Sequence, residues 1–120
     1  MEKAEGDMAA VEALADKGSI YFNTVTFHCQ QAAEKYLKAF LVWHEIDFPK
    51  THDLAQILAL VETTDAALAD GLRDVIVLTP YGVELRYPGD RPDATLAQVC
   101  RVIELAKKVR DAVLSALPLK

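Results

Sequence analysis

Apolar residues recur at helical spacing along most of the chain. In residues 3–16, Met8, Val11, Leu14 and several alanines mark a short first helix, which Lys17-Gly18-Ser19 closes with a C-terminal cation and a breaker. From Ser19 no glycine or proline follows until Pro49. Steps of about 100° per residue gather Phe22, Val25, Cys29, Ala32, Ala33, Tyr36, Leu37, Phe40 and Trp43 into one broad stripe. The pattern predicts a long helix over 21–45 with that stripe as its core face. Its other side carries Gln30, Gln31, Glu34, Lys35 and Lys38, but also Phe27, Leu41 and Val42. A helix apolar on more than one face is central in a bundle or shared with a partner chain.

Asp47-Phe48-Pro49-Lys50 predicts a loop, since Pro49 disfavours helix at Phe48 and has no N–H to donate. A third helix is expected from an Asp53 cap, with Gln56 completing a capping box before Leu54, Ile57, Leu58 and Val61 set the apolar face. Thr63-Thr64-Asp65 interrupts it. A fourth helical segment is expected over 66–87, bent where Thr79 caps a turn restarted at Pro80 and stopped by Pro88-Gly89. Thr95 and Gln98 predict a second capping box, from which Leu96, Val99, Ile103, Ala106, Val109 and Val113 trace a last helix to about Leu117. Val75-Ile76-Val77-Leu78 has strand character but lies isolated, and a sheet needs partners. Short connections favour an all-α, up-and-down antiparallel helical bundle of about five helices.

Composition adds bounds to this picture. The 120 residues fit a single domain over 1–120, and 52% hydrophobic with 26% charged residues suits a packed core. A net charge of −5 gives no general attraction for nucleic acid, so any such contact must be local. Cys29 and Cys100 sit in helical patterns with apolar neighbours, which suits buried free thiols in a reducing cytoplasm. The first eight residues have no apolar run of a secretory signal, and no stretch is apolar enough for a membrane span. A cytoplasmic location without membrane contact is the expectation.

Three groups of residues carry candidate chemistry. Gln30, Gln31, Glu34, Lys35 and Lys38 read first as a solvated face with a Glu34–Lys38 pair worth about 0.3 kcal/mol, and second as a surface for phosphates or bases. In Lys50-Thr51-His52-Asp53-Leu54, a histidine precedes a helix N-terminus, where it serves either as a base or ligand or as local packing. Tyr81, Glu84, Arg86, Tyr87, Pro88, Gly89, Asp90 and Arg91 combine a guanidinium fork with rings able to stack on bases, and equally form a helix stop with Arg86 paired to Glu84 or Glu34. His28 and His44 lack a second ligand at zinc spacing, so no metal is expected. No phosphate loop, G-x-S-x-G, CxxC or H-E-x-x-H is present, and no cofactor is implied.

The stretch Phe27-His28-Cys29-Gln30-Gln31-Ala32-Ala33-Glu34-Lys35-Tyr36-Leu37-Lys38-Ala39, then Thr51-His52-Asp53-Leu54, then Tyr81 and Arg86-Tyr87-Pro88-Gly89, resembles the HEPN domain family over nearly the whole chain. The resemblance implies an all-α bundle that commonly forms a homodimer and acts beside a minimal nucleotidyltransferase in prokaryotic toxin–antitoxin or defence systems. The family name refers to proposed nucleotide binding. Carried over residue by residue, it implies a nucleotide or RNA ligand met by Arg86 and Lys38 at phosphates, Tyr81 or Tyr87 by stacking, and Gln31 and Glu34 by polar contacts, with His52 and Asp53 orienting the surface. Many members are metal-independent endoribonucleases with an arginine followed four to six residues later by a histidine. Here Arg86 is followed at those offsets by Asp90, Arg91 and Pro92, and every histidine precedes the first arginine, Arg73. Nuclease activity would need His52 to reach Arg86 from another helix or protomer. The alternatives are therefore a binding module, a divergent endoribonuclease toxin, and an adaptor that binds no ligand.

Overall fold

A computed structural model describes residues 1–82 and 93–118. The helices are α1 (Glu2–Leu14), α2 (Phe22–Trp43), α3 (Leu54–Glu62), α4 (Ala66–Gly71) and α5 (Leu96–Ala116). Two 3-10 segments, Ser19–Tyr21 and Arg73–Gly82, complete the order, and no strand occurs among the described residues. The all-α bundle expected from the periodicity is what forms.

Helix α2 is the axis on which the rest is assembled. Val25, Cys29, Ala32, Ala33, Tyr36, Leu37, Phe40 and Leu41 are buried along it, and both α1 and α5 pack against it. Helix α1 runs antiparallel to α2: Met1 shares a cavity with Ala39 and Val42, whereas Asp7 meets Lys35 and His28 further back. Helix α5 runs parallel to α2. Its leading Ala94 N–H donates to Asn23 Oδ1 at 2.9 Å, and Leu117 lies beside Trp43 at the other end. Between them α3, α4 and the longer 3-10 segment bring the chain back from the C-terminal end of α2 to its N-terminal end. Down, up, back and up is the alternation expected of short connections, with the third leg broken into pieces.

The ends of the elements follow their local chemistry. Thr95 Oγ1 accepts from Gln98 N–H at 3.2 Å and Gln98 Oε1 accepts from Thr95 N–H at 2.9 Å, the reciprocal box expected for α5. Asp53 caps α3 through Ala55 N–H at 3.0 Å, without a reciprocal bond from Gln56. Thr79 does not cap a restarted turn: its Oγ1 accepts from Leu54 N–H at 3.2 Å, tying the 3-10 segment to the start of α3. The expected α-helix over 66–87 is instead α4 followed by 3-10 turns around Pro80. Residues 83–87 of that expectation, with the Pro88-Gly89 stop, lie outside the described residues.

Helix α2 ends at Trp43, two residues before the expected boundary. Ile46 N–H reaches back to Leu41 O at 2.9 Å and Glu45 N–H to Val42 O at 3.1 Å, a Schellman closure that places Glu45 at φ 57°. Glycine is the residue that takes this conformation without steric cost. Glu45→Gly is therefore expected to raise stability by about 0.5–1 kcal/mol, measured as a higher urea midpoint at unchanged m-value. Three other placements differ from the sequence reading. Trp43 is 50% exposed rather than core, at the last position of α2, where it borders an open hollow with Met1 and Leu117. Cys100 is exposed while Cys29 is buried, so only one thiol fits the buried reading. Of Phe27, Leu41 and Val42, Leu41 is fully buried, Phe27 is half-buried with its ring edge-on to His28, and only Val42 is broadly exposed.

Candidate functional site

The polar face of α2 is not solvated. Gln30 is fully buried and Glu34 is 4% exposed, because residues 51–52 and the end of the 3-10 segment lie over them. Three residue types at i, i+4 and i+8, Gln30, Glu34 and Lys38, stack along this face as helical geometry requires.

Glu34 is the hub. Its Oε1 accepts from Gln30 Nε2 at 3.1 Å and lies 2.8 Å from His52 Nδ1, while Oε2 accepts from Lys38 Nζ at 3.1 Å. Lys38 also donates to Thr51 O at 2.8 Å and lies over the Phe48 ring, 5.6 Å from its centroid. Gln31 Nε2 donates to Gln30 Oε1 at 2.7 Å, extending the network to the half-buried rim. Burial pushes the Glu34 carboxyl pKa up, but the hydrogen bonds from Gln30, His52 and Lys38, with the Lys38 charge, outweigh it and hold the group below its ordinary value. Glu34 is thus an ionised acid at the floor of a polar cluster.

That acid orients His52. A carboxylate at Nδ1 takes the ring N–H there and leaves Nε2 as the outward nitrogen. The His52 side chain is 70% exposed, so Nε2 faces solvent, free to accept a proton or, when the ring is charged, to donate to an anion.

The structure brings together Gln31, Glu34, Lys38 and His52 of the expected residues, with Asp53 beside them as the α3 cap. Tyr81 lies elsewhere: it lines a cavity of about 260 Å³ with Val77, Ala97, Gln98, Arg101 and Val102, between the 3-10 segment and α5. Arg86 and Tyr87, with Glu84 and the residues 88–91 grouped with them, lie outside the described residues. Lys35 points away from Glu34. It donates to Asp7 Oδ2 at 2.7 Å, and His28 Nδ1 is 2.8 Å from Asp7 Oδ1. This second buried acid braces α1 on α2. Sequence reasoning passed over it, although His28 and Lys35 are two turns apart on one face and so bound to share a neighbour.

Among the described residues no group of three or more His, Cys, Asp or Glu side chains is placed to hold a metal ion. Burial pushes the Cys29 thiol up to about 12, so it stays protonated and inert. No helix among the described residues is long and apolar enough to cross a membrane.

A family model for the HEPN domain matches residues 1–116. The chain belongs to the HEPN domain family. It matches no curated protein and no solved structure. In this HEPN domain two of the stretches that carry the resemblance converge: Gln30, Gln31, Glu34 and Lys38 from α2 meet His52 from the turn before α3 around one carboxylate. Gly82, next to Tyr81 of the third stretch, rests against the Gln30 amide so closely that an added Cβ would fall 2.7 Å from Gln30 Cδ and Oε1.

Proposed function

We propose that this HEPN domain is a nucleotide- or RNA-binding module that acts as a homodimer with a partner such as a minimal nucleotidyltransferase, in a cytoplasmic toxin–antitoxin or defence setting. The observation that carries the ligand reading is the Glu34–His52 contact at 2.8 Å, which fixes an exposed imidazole above a buried, charge-neutralised floor. Phosphate oxygens are the natural partners of a charged imidazole and of Arg86, the guanidinium that the family pattern assigns to the same surface. Gln31 at the rim supplies a polar contact, and Tyr87 a face for stacking. The whole-chain charge of −5 means that affinity must come from this local set.

The same contact favours a second reading, metal-independent RNA cleavage. A histidine with Nδ1 held by a carboxylate and Nε2 open is built as a general base, and with Arg86 beside a phosphodiester it would serve that chemistry. The absence of a histidine after Arg86 keeps binding as the first reading.

Both are tested with a fluorescent single-stranded RNA and a labelled nucleoside triphosphate, by anisotropy against wild type, His52→Ala and Arg86→Ala. Weakening of about tenfold or more in each variant, with unchanged far-UV CD and intact RNA, is the expected result. RNA cleavage in the presence of a chelator, lost in both variants, would establish the second reading instead. Equal binding by all three proteins removes the ligand reading from this site.

A further inference from the structure

Glu34 is not alone in holding an imidazole from a buried position. Asp7, its side chain 9% exposed, does the same on the other flank of the outer face of α2. Its Oδ1 lies 2.8 Å from His28 Nδ1 and its Oδ2 accepts from Lys35 Nζ at 2.7 Å. Glu34 repeats the pattern, with one oxygen on His52 Nδ1 and the other on Lys38 Nζ. In both, the lysine answers the carboxylate and the ring nitrogen taken is Nδ1, which leaves Nε2. The His28 side chain is 28% exposed and its Nε2 makes no hydrogen bond among the described residues. No buried side-chain nitrogen or oxygen among them lacks a partner, so this Nε2 opens to solvent.

His28 and Glu34 stand about 9 Å apart along the α2 axis and a third of a turn around it, which on a helix about 11 Å across is roughly 13 Å of surface. Since His52 rides on Glu34, the two outward nitrogens flank this ribbon. Gln31 lies midway in both directions. Its Nε2 is taken up by Gln30, which leaves Oε1 as an acceptor for a base amino group or a ribose hydroxyl. Phe27, half-buried with its ring at 72° to that of His28, lies on the same ribbon and offers a face to a base. On α1, steps of about 100° put Lys3, Gly6 and Ala10 on the outer edge beside Asp7 and Glu5 and Glu12 on the far side. Glu2 shares the hollow of Lys3, Lys35 and Lys38 further along. The chain's charge of −5 is thus not concentrated on the ribbon.

We propose that a single strand of RNA crosses α2 on this ribbon, with one phosphate at His52, a later one at His28, and a base against Phe27. No single phosphate meets both imidazoles, so the spacing selects a strand over a free nucleotide. Each imidazole, when charged, stands on a carboxylate that a lysine already neutralises, and so presents a net positive charge to a phosphate. The inference rests on the RNA reading of the His52 site and narrows its ligand.

The test is competition against a labelled single-stranded RNA octamer by unlabelled RNA octamer and dinucleotide. On wild type the octamer should bind about tenfold or more tighter than the dinucleotide. His28→Asn keeps an N–H donor for Asp7 in the place of Nδ1 but has no counterpart of Nε2. It should weaken the octamer by about tenfold and so remove the advantage of length, at an unchanged urea midpoint. Phe27→Leu, which is independent of the Asp7 contact, should weaken the octamer by about fivefold. His52→Ala should weaken both lengths. Octamer binding unchanged in His28→Asn or in Phe27→Leu overturns the inference and leaves the His52 reading standing. Equal loss for dinucleotide and octamer in His28→Asn also overturns it, since His28 then acts only by bracing α1. Absence of RNA binding by wild type, or of any effect of His52→Ala, removes the earlier reading and the inference with it.

Discussion

Glu34→Ala is expected to destabilise the domain by about 2–3 kcal/mol, seen as a fall in thermal midpoint of roughly 10 °C. Removing one partner of a buried ion pair costs more than the pair itself contributes, because the remaining groups keep their desolvation without compensation. Here the burden falls unevenly. His52 is largely exposed and returns to water, Lys38 retains Thr51 O, and the fully buried Gln30 amide loses its acceptor at 3.1 Å. The estimate therefore sits below that for a pair sealed on both sides. Glu34→Gln keeps the volume but turns an NH2 group towards either Lys38 or His52, so it recovers only part of the loss.

The same group makes stability depend on acid. The Glu34 pKa is lower in the folded chain than its ordinary 4.5, so the folded state binds that proton less readily than the unfolded state. Its contribution is complete above about pH 4.5 and is lost as pH falls through the lower folded value. Urea midpoints of wild type measured from pH 6 downward should fall more steeply below that point than those of Glu34→Gln. Parallel curves would mean that Glu34 is not held ionised by its neighbours.

How much of this was legible beforehand depended on whether a residue's surroundings came from its own helix. The Thr95–Gln98 box, the Asp53 cap and the α2 core stripe from Val25 to Phe40 are set by spacing within one segment, and they form as the spacing predicts. The burial of Gln30 and Glu34 is set by what lies over them. The cover consists of residues 51–52 and Gly82, a turn and a 3-10 end without periodicity, so a helical wheel marks the face as polar and cannot tell that it is roofed. The 3-10 character of Arg73–Gly82 was hidden for a related reason: its buried residues Val75 and Leu78 are three apart, a spacing that α-helical and 3-10 turns both place on one side. Thr79 shows the same limit. A threonine before a proline reads as a local cap, whereas its acceptor serves Leu54, twenty-five positions earlier. Glu45 gave no signal at all, since helix closures of its kind are recognised by a glycine that this chain does not use there. The candidate site was legible as residue types in two stretches, on α2 and before α3, and its organising contact, Glu34 with His52, was not.

Gly82→Ala is expected to cost about 2 kcal/mol although its backbone needs no unusual φ. The position is tight because of one side chain: an added Cβ would lie 2.7 Å from Gln30 Cδ and Oε1 and 3.0 Å from Nε2. An amide at the end of a flexible side chain usually gives way cheaply. Gln30 cannot, since it is fully buried, donates to Glu34 Oε1 and accepts from Gln31 Nε2 at the same time. Moving it breaks both bonds and leaves the Glu34 carboxylate one donor short. The energy should therefore lie in the pair rather than in either residue. In a Gln30→Ala background, with the amide gone, Gly82→Ala should be nearly neutral, giving a coupling of about 1.5–2 kcal/mol in a double-mutant cycle read from urea denaturation. The single Gly82→Ala variant should also weaken whatever ligand His52 meets, because the carboxylate that holds the imidazole loses its second anchor. A Gly82→Ala cost that is unchanged by removing Gln30 would place the constraint in the backbone of the 3-10 segment and detach Gly82 from the site.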